Sequence, residues 1–141
     1  MAEQEDLKTK ILRDMVVDHS DSLEKNYVLA KELIRITKDG KVDVLVKDRL
    51  PGTEKIILYL IGKCYAQRAG LTNSEYTKND ELRNELGIIQ GSLLPWLKTL
   101  RDSNTIKQGP REGNEVTHAI ALSAVERTLK EINNKLSGPM R

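Results

Sequence analysis

The stretch from Thr53 to Ala69 leaves this chain little freedom. At helical spacing, Ile56, Ile57, Leu58, Leu60, Ile61, Cys64 and Tyr65 cover most of a helix's circumference. The segment is bounded by Pro51-Gly52 on one side and Gly70 on the other. A helix that is apolar nearly all round must lie centrally, with other elements packed on several sides. The spacing predicts that helix over 53–69, with Thr53 as its N-cap. Gly62 inside it costs about 1 kcal/mol relative to alanine. Close approach of another backbone is the simplest reason for it. Cys64 sits on the buried face and reads as a small core residue.

The stretch Asp80–Leu100 supplies two shorter helices. Leu82 and Leu86 give the first an i, i+4 apolar face, and Asn79 stands where an N-cap belongs. Asp80 and Glu81 fall in its first turn, where the helix dipole favours negative charge. Gly87 stops it, since glycine enters the left-handed conformation at little cost. Ile88 follows as a buried peg. Leu93, Leu97 and Leu100 then recur at i, i+4, i+7. Helix, glycine turn and helix is the spacing of a helix-turn-helix. Ser92 is a candidate N-cap for the second helix. It would make Pro95 the third helical residue, where no intrahelical N–H bond is lost.

The elements on either side follow from periodicity. Residues 5–17 predict a helix with Leu7, Ile11 and Met15 on one face and Leu12 and Val16 beside them. Asp18-His19-Ser20-Asp21 breaks it. A helix over 22–37 follows, with Leu23, Tyr27, Ala30 and Ile34 in a stripe and Lys25, Lys31, Glu32 and Arg35 roughly opposite. Asp39-Gly40 is a turn, and Lys41 to Lys47 alternates as a strand through Val42, Val44 and Val46. The alternative for Ile34 to Thr37 is the first arm of a hairpin across that turn; the helical period of the stripe favours helix. Thr105–Gln108 and Glu115–Leu122 predict two strands around a turn-rich tip, 109–114. In the last helix, 123–136, Val125, Leu129, Ile132 and Leu136 form a two-per-heptad seam, narrower than a core-facing stripe. That seam can pack on its own domain or on the same helix of a partner chain, and the second alternative makes it the candidate homodimer surface. Residues 137–141 read as a disordered tail.

Composition narrows the function. With no Phe and 4% aromatic residues, Leu, Ile and Val must do the packing. A net charge of +2 is too small to argue nucleic-acid binding by itself. The single cysteine excludes an intramolecular disulfide and a cysteine metal site, so a reducing, cytoplasmic setting is expected. The N-terminus carries no apolar signal core. The longest apolar run, Ile56–Ile61, is too short to span a membrane, and no membrane partner is expected. His19 and His118 are the only histidines, and no glycine-rich phosphate loop is present. No enzyme activity, cofactor or metal is expected.

The order helix, helix, turn, helix, two strands over about Thr53 to Leu122 resembles the winged helix-turn-helix superfamily. The runs LPGTEKIILYLIGKCYAQRAG and NDELRNELGIIQGSLLPWLKTLRDSNTIK look like small archaeal winged-helix proteins. The resemblance implies a mainly α fold with a small β wing. It divides the chain into an N-terminal dimerisation or docking layer (1–50), a winged helix-turn-helix domain (51–122) and a C-terminal helix with its tail (123–141). It further implies double-stranded DNA as partner, as for a homodimeric transcriptional regulator or chromatin-associated factor. The second helix of the motif would enter the major groove. Carried onto this sequence, Gln90, Ser92, Lys98 and Arg101 are the candidate groove and phosphate contacts, and Lys107 and Arg111 the wing's phosphate contacts.

Charge pulls the other way. From Thr72 to Leu122 there are six basic residues (Lys78, Arg83, Lys98, Arg101, Lys107, Arg111) against seven acidic ones. Phosphate neutralisation dominates DNA affinity, so a DNA reader is usually basic here. Leu94, Pro95 and Trp96 are therefore candidates for docking another protein instead, with Trp96 as anchor. Core packing is the competing reading of Trp96.

Overall fold

The computed structural model describes residues 6–16 and 18–137. Among them the chain is mainly helical, with two small antiparallel sheets. The predicted central helix is α4 (Gly52–Arg68), and every residue from Ile56 to Cys64 is buried, Lys63 included. Its N-cap is Pro51 and Thr53 lies inside it, so Thr53 does not cap. One hydrophobic cluster gathered on α4 runs from Leu23 to Ile132, across the divisions expected at 50 and 122.

A hairpin packs along one side of α4. Its arms are β1 (Ile34–Ile36) and β2 (Val42–Val44), paired antiparallel with Ile34 opposite Val44 and Ile36 opposite Val42. The helix expected over 22–37 is thus corrected in favour of the alternative. It divides into α2 (Ser22–Lys25) and α3 (Tyr27–Leu33) and ends before Ile34. Two local causes are visible. The buried Asn26 amide donates to the Ser22 carbonyl at 2.8 Å, a side-chain bond that competes with continued helix. The β-branched run Ile34, Ile36, Thr37 then meets Asp39-Gly40, and Gly40 takes the left-handed turn conformation (φ 87°). Tyr27, expected in the buried stripe, is exposed.

Gly62 faces this hairpin. A Cβ there would collide with the Val42 and Ile34 side chains. The close neighbour is therefore a pair of side chains, where a backbone was expected. On the opposite flank, α7 (Leu122–Ser137) packs on α2, α3 and α4. The expected tail at 138–141 lies outside the described residues, and Ser137 closes the helix.

The remaining elements complete a second unit on α4. They are β3 (Thr77–Lys78), α5 (Asn79–Leu86), α6 (Gln90–Asp102), β4 (Ile106–Gln108) and β5 (Thr117–Ile120). The three strands form one antiparallel sheet in the order β3-β5-β4, with Thr77 opposite His118 and Ile106 opposite Ile120. Both long strands are shorter than expected, and β3 was not anticipated. Two caps are also corrected. Lys78 occupies the N-cap of α5 and Ile89 that of α6, so Asn79 and Ser92 are helical residues.

The N-terminal helix α1 spans Leu7–Asp14, shorter than the expected 5–17; residues 5 and 17 lie outside the described residues. Asp6 caps it, its carboxylate accepting from the Thr9 N–H at 2.9 Å. Leu7, Ile11, Leu12, Met15 and Val16 all remain exposed.

Candidate nucleic-acid interface

The glycine turn sets the geometry of the α5–α6 pair. Gly87 closes α5 at φ 67°, ψ 34°, a conformation that L side chains adopt at a cost. Ile88 then plugs the core at 8% exposure, and α6 starts two residues on. Leu93, Leu97 and Leu100 turn inward and are buried, as their spacing required. The opposite face is left to solvent.

Two ties anchor the pair to α4. The Tyr59 hydroxyl donates to Glu81 Oε2 at 2.5 Å, and Lys63 Nζ reaches the same oxygen at 3.2 Å. A buried ammonium needs such a partner. Burial, reinforced by the bond to Glu81, pushes the Tyr59 phenol well above its ordinary range. On α6, the Trp96 ring lies against Gly52, where a Cβ would fall inside the indole. Trp96 is half-buried and packed on the core, so most of the expected surface anchor is committed to α4.

Of the remaining α6 candidates, Gln90, Leu94, Pro95 and Lys98 are exposed, while Ser92 and Arg101 are half-buried. Pro95 is the sixth residue of the helix, not the third. It offers no N–H to the Gly91 carbonyl one turn back, which lies at the exposed surface. Ile89 is 73% exposed at the start of α6. Sequence periodicity missed it because it belongs to neither helical stripe.

The cations are largely engaged. Lys98 pairs with Asp102 at 2.9 Å, Lys107 with Glu75 at 3.5 Å, Lys78 with Glu112 at 3.3 Å, and Arg83 with Asp80. Arg111, on the exposed β4–β5 tip, donates to the Asn114 carbonyl at 3.5 Å. Arg101 makes no ion pair among the described residues. Its charge reaches His118 on β5.

His118 belongs to the scaffold. Its Nε2 bonds Asn79 Oδ1 at 2.8 Å, tying β5 to the first turn of α5, while Nδ1 is buried with no protein partner. Burial, with Arg101's charge adding to it, pushes its pKa down to about 4. The ring is neutral at pH 7. Cys64 is buried beside Glu75 (3.6 Å), and burial followed by that carboxylate pushes its thiol up to about 12. It is no thiolate nucleophile.

The seam on α7 follows the own-domain alternative, and the reading of it as a dimer surface is corrected. Val125, Leu129 and Ile132 are buried inside their own chain, with Leu136 at its margin. The stripe looked narrow because Ala124 and Thr128, both buried, widen it without counting as large apolar residues.

Among the described residues, no three His, Cys, Asp or Glu side chains are grouped to hold a metal ion. No helix there is long and apolar enough to cross a membrane. No protein-family model, curated protein or solved structure matches the chain.

Proposed function

We propose that residues 51–122 are a winged-helix unit that binds double-stranded DNA through α6, with the β4–β5 hairpin as its wing, in a transcriptional regulator or chromatin-associated factor. The observation that carries this reading is topological. Helix α4, strand β3, helices α5 and α6, then β4 and β5 in the sheet order β3-β5-β4 leave the outer face of α6 uncovered. A helix presented in this way fits a major groove. On that face Gln90 offers an amide suited to adenine, and Lys98 a cation for guanine or phosphate. Arg101, free of carboxylates, and Arg111 at the tip extend the row toward the backbone. Lys98 would exchange its exposed partner Asp102 for phosphate, a small loss because such surface pairs contribute only about 0–1 kcal/mol, whereas Lys107 would have to leave the half-buried Glu75.

Fluorescence anisotropy with a mixed-sequence duplex tests the proposal. Saturable binding in low salt is expected, weakened several-fold by Lys98→Ala and Arg101→Ala. No binding at micromolar protein in low salt would defeat it.

A second reading is favoured by the apolar exposure beside those cations. Ile89 and Leu94 are 73% and 46% exposed, Pro95 is exposed between Leu94 and Trp96, and Lys98 is neutralised by Asp102. Such a surface suits docking of another protein. Under that reading no duplex binds, and Leu94→Asp is the change that abolishes function.

A further inference from the structure

A cleft of about 140 Å³ opens between α3, β1 and α4. Ala30 and Ile34 are buried and form its floor, and the rings of Tyr27 and Tyr65 flank it. The Tyr65 hydroxyl donates to the Leu23 carbonyl at 2.5 Å, which fixes that ring. Ile34 and Ile36 point to one face of β1 and Arg35 to the other. All three border the cleft, so it runs along the edge of β1 that is not paired with β2. The Leu33 carbonyl accepts from the Leu45 N–H, and the Thr37 N–H donates to the Lys41 carbonyl. In that register the backbone groups of Ile34 and Ile36 face the free edge. The Ile34 N–H donates to the Ala30 carbonyl, and the Ile34 carbonyl accepts from Arg35 Nη1 at 3.1 Å. The Ile36 N–H has no protein partner among the described residues.

The charge on this cleft has one sign. Lys31 and Arg35 stand at its exposed rim, and no carboxylate lines it. Neither cation makes an ion pair among the described residues, although Asp43 stands opposite Arg35 in the hairpin register. The Lys31 ammonium lies 5.4 Å from the centroid of the Tyr27 ring, beside the apolar wall. Arg35 Nη1 is held by the Ile34 and Lys31 carbonyls. That leaves Nε and Nη2, a fork that matches the two oxygens of a carboxylate. The neighbouring cleft that shares Tyr27 and Tyr65 carries Glu24 against Arg68 and has no such preference.

We propose that the cleft binds a small monocarboxylic acid whose apolar body is the size of a benzene ring. An apolar cavity of about 150 Å³ takes benzene. The 140 Å³ here therefore takes one such body, which commits the site to a free small molecule rather than a peptide strand. The body lies between Tyr27 and Tyr65, over Ala30 and Ile34. The carboxylate sits at the rim on the Arg35 fork and the Lys31 ammonium, with the Ile36 N–H as a further donor on the same edge. Burial of the apolar body supplies affinity, and the donors select the anion. The proposal stands apart from the DNA and protein-docking readings, since no residue of α5, α6 or the β4–β5 tip borders the cleft.

An amide-resolved NMR titration of the full chain with phenylacetate tests it, with phenylacetamide and acetate as comparisons. Saturable shifts at Ala30 and Ile36 are expected with phenylacetate, with a Kd on the order of 0.1–1 mM. Phenylacetamide should bind about ten-fold more weakly, and acetate, which lacks the apolar body, should not bind measurably. Lys31 and Arg35 are exposed, so Lys31→Gln and Arg35→Gln leave the core intact. Each should weaken phenylacetate about three- to ten-fold and leave phenylacetamide unchanged. Tyr27→Ala should weaken both ligands alike. The absence of saturable shifts at tens of millimolar phenylacetate overturns the proposal. So does phenylacetamide or acetate binding as tightly as phenylacetate, or an affinity indifferent to both cation changes. A failure of DNA binding alters none of these outcomes.

Discussion

Gly62 shows how far a single residue can be read. Its cost to α4 was visible in the sequence, and so was the need for a close neighbour. The identity of that neighbour was not, because the hairpin's first arm, Ile34–Ile36, reads as the end of a helix in the sequence. Gly62→Ala sets two effects against each other. Helix propensity gains about 1 kcal/mol. The added methyl collides with Val42 and Ile34, and overpacking of this kind costs about 1–3 kcal/mol. Overpacking should win, so urea denaturation should show a net loss of stability; a more stable variant would mean that the hairpin does not press on α4. His118 carries a different signature. As pH falls, the unfolded chain takes up a proton near the ordinary 6.5, while the folded imidazole stays neutral down to about 4. Stability is therefore constant above the upper value and is lost progressively between the two. From pH 7 to pH 5 the loss is roughly 2 kcal/mol. Denaturation measured at both pH values should show it, and His118→Gln should flatten the difference.

At the scale of elements, the chain was legible wherever burial imposes a long period. Helix α4, the α5–α6 pair and α7 all lie within a few residues of their expected positions. Three features were hidden, each for its own reason. Strand β3 is two residues long, too short to show any alternation, and exists only because Thr77 and Lys78 pair with β5. Strand β1 continues the apolar spacing of the helix before it, since Ile34 satisfies both periods. The true caps Lys78 and Ile89 make no side-chain capping bond, so no capping residue marks either helix start. Among the candidate site residues, the inward leucines of α6 were fixed by spacing alone. The engagement of Lys98, Lys107 and Lys78 by carboxylates is tertiary or rotameric and cannot be read from a count of charges. The α4–α5 tie is open to direct test. Glu81→Ala strands the buried Lys63 ammonium and the Tyr59 hydroxyl. The partial exposure of Glu81 tempers the penalty to about 2 kcal/mol. Adding Lys63→Met should recover part of the loss in a denaturant series; equal stability of Glu81→Ala and the unaltered protein would show that the tie carries nothing.

For the whole molecule, one core centred on α4 holds two different surfaces. The N-terminal hairpin, α2, α3 and α7 close one flank, which removes the α7 seam as a dimer surface. The other flank presents the outer face of α6 and the β4–β5 tip. If two such units engage one duplex side by side, their α6 helices would have to lie about 34 Å apart, one turn of DNA. The central claim is that α6 and the tip contact phosphate and base edges, and its electrostatic component is measurable. The most direct test is the duplex affinity of the unaltered protein and of Lys98→Ala, Arg101→Ala and Arg111→Ala across a salt series. Binding that weakens steeply with salt is expected, with the slope falling by about one for each cation removed. No binding in low salt, or binding whose salt slope is indifferent to all three changes, would contradict it.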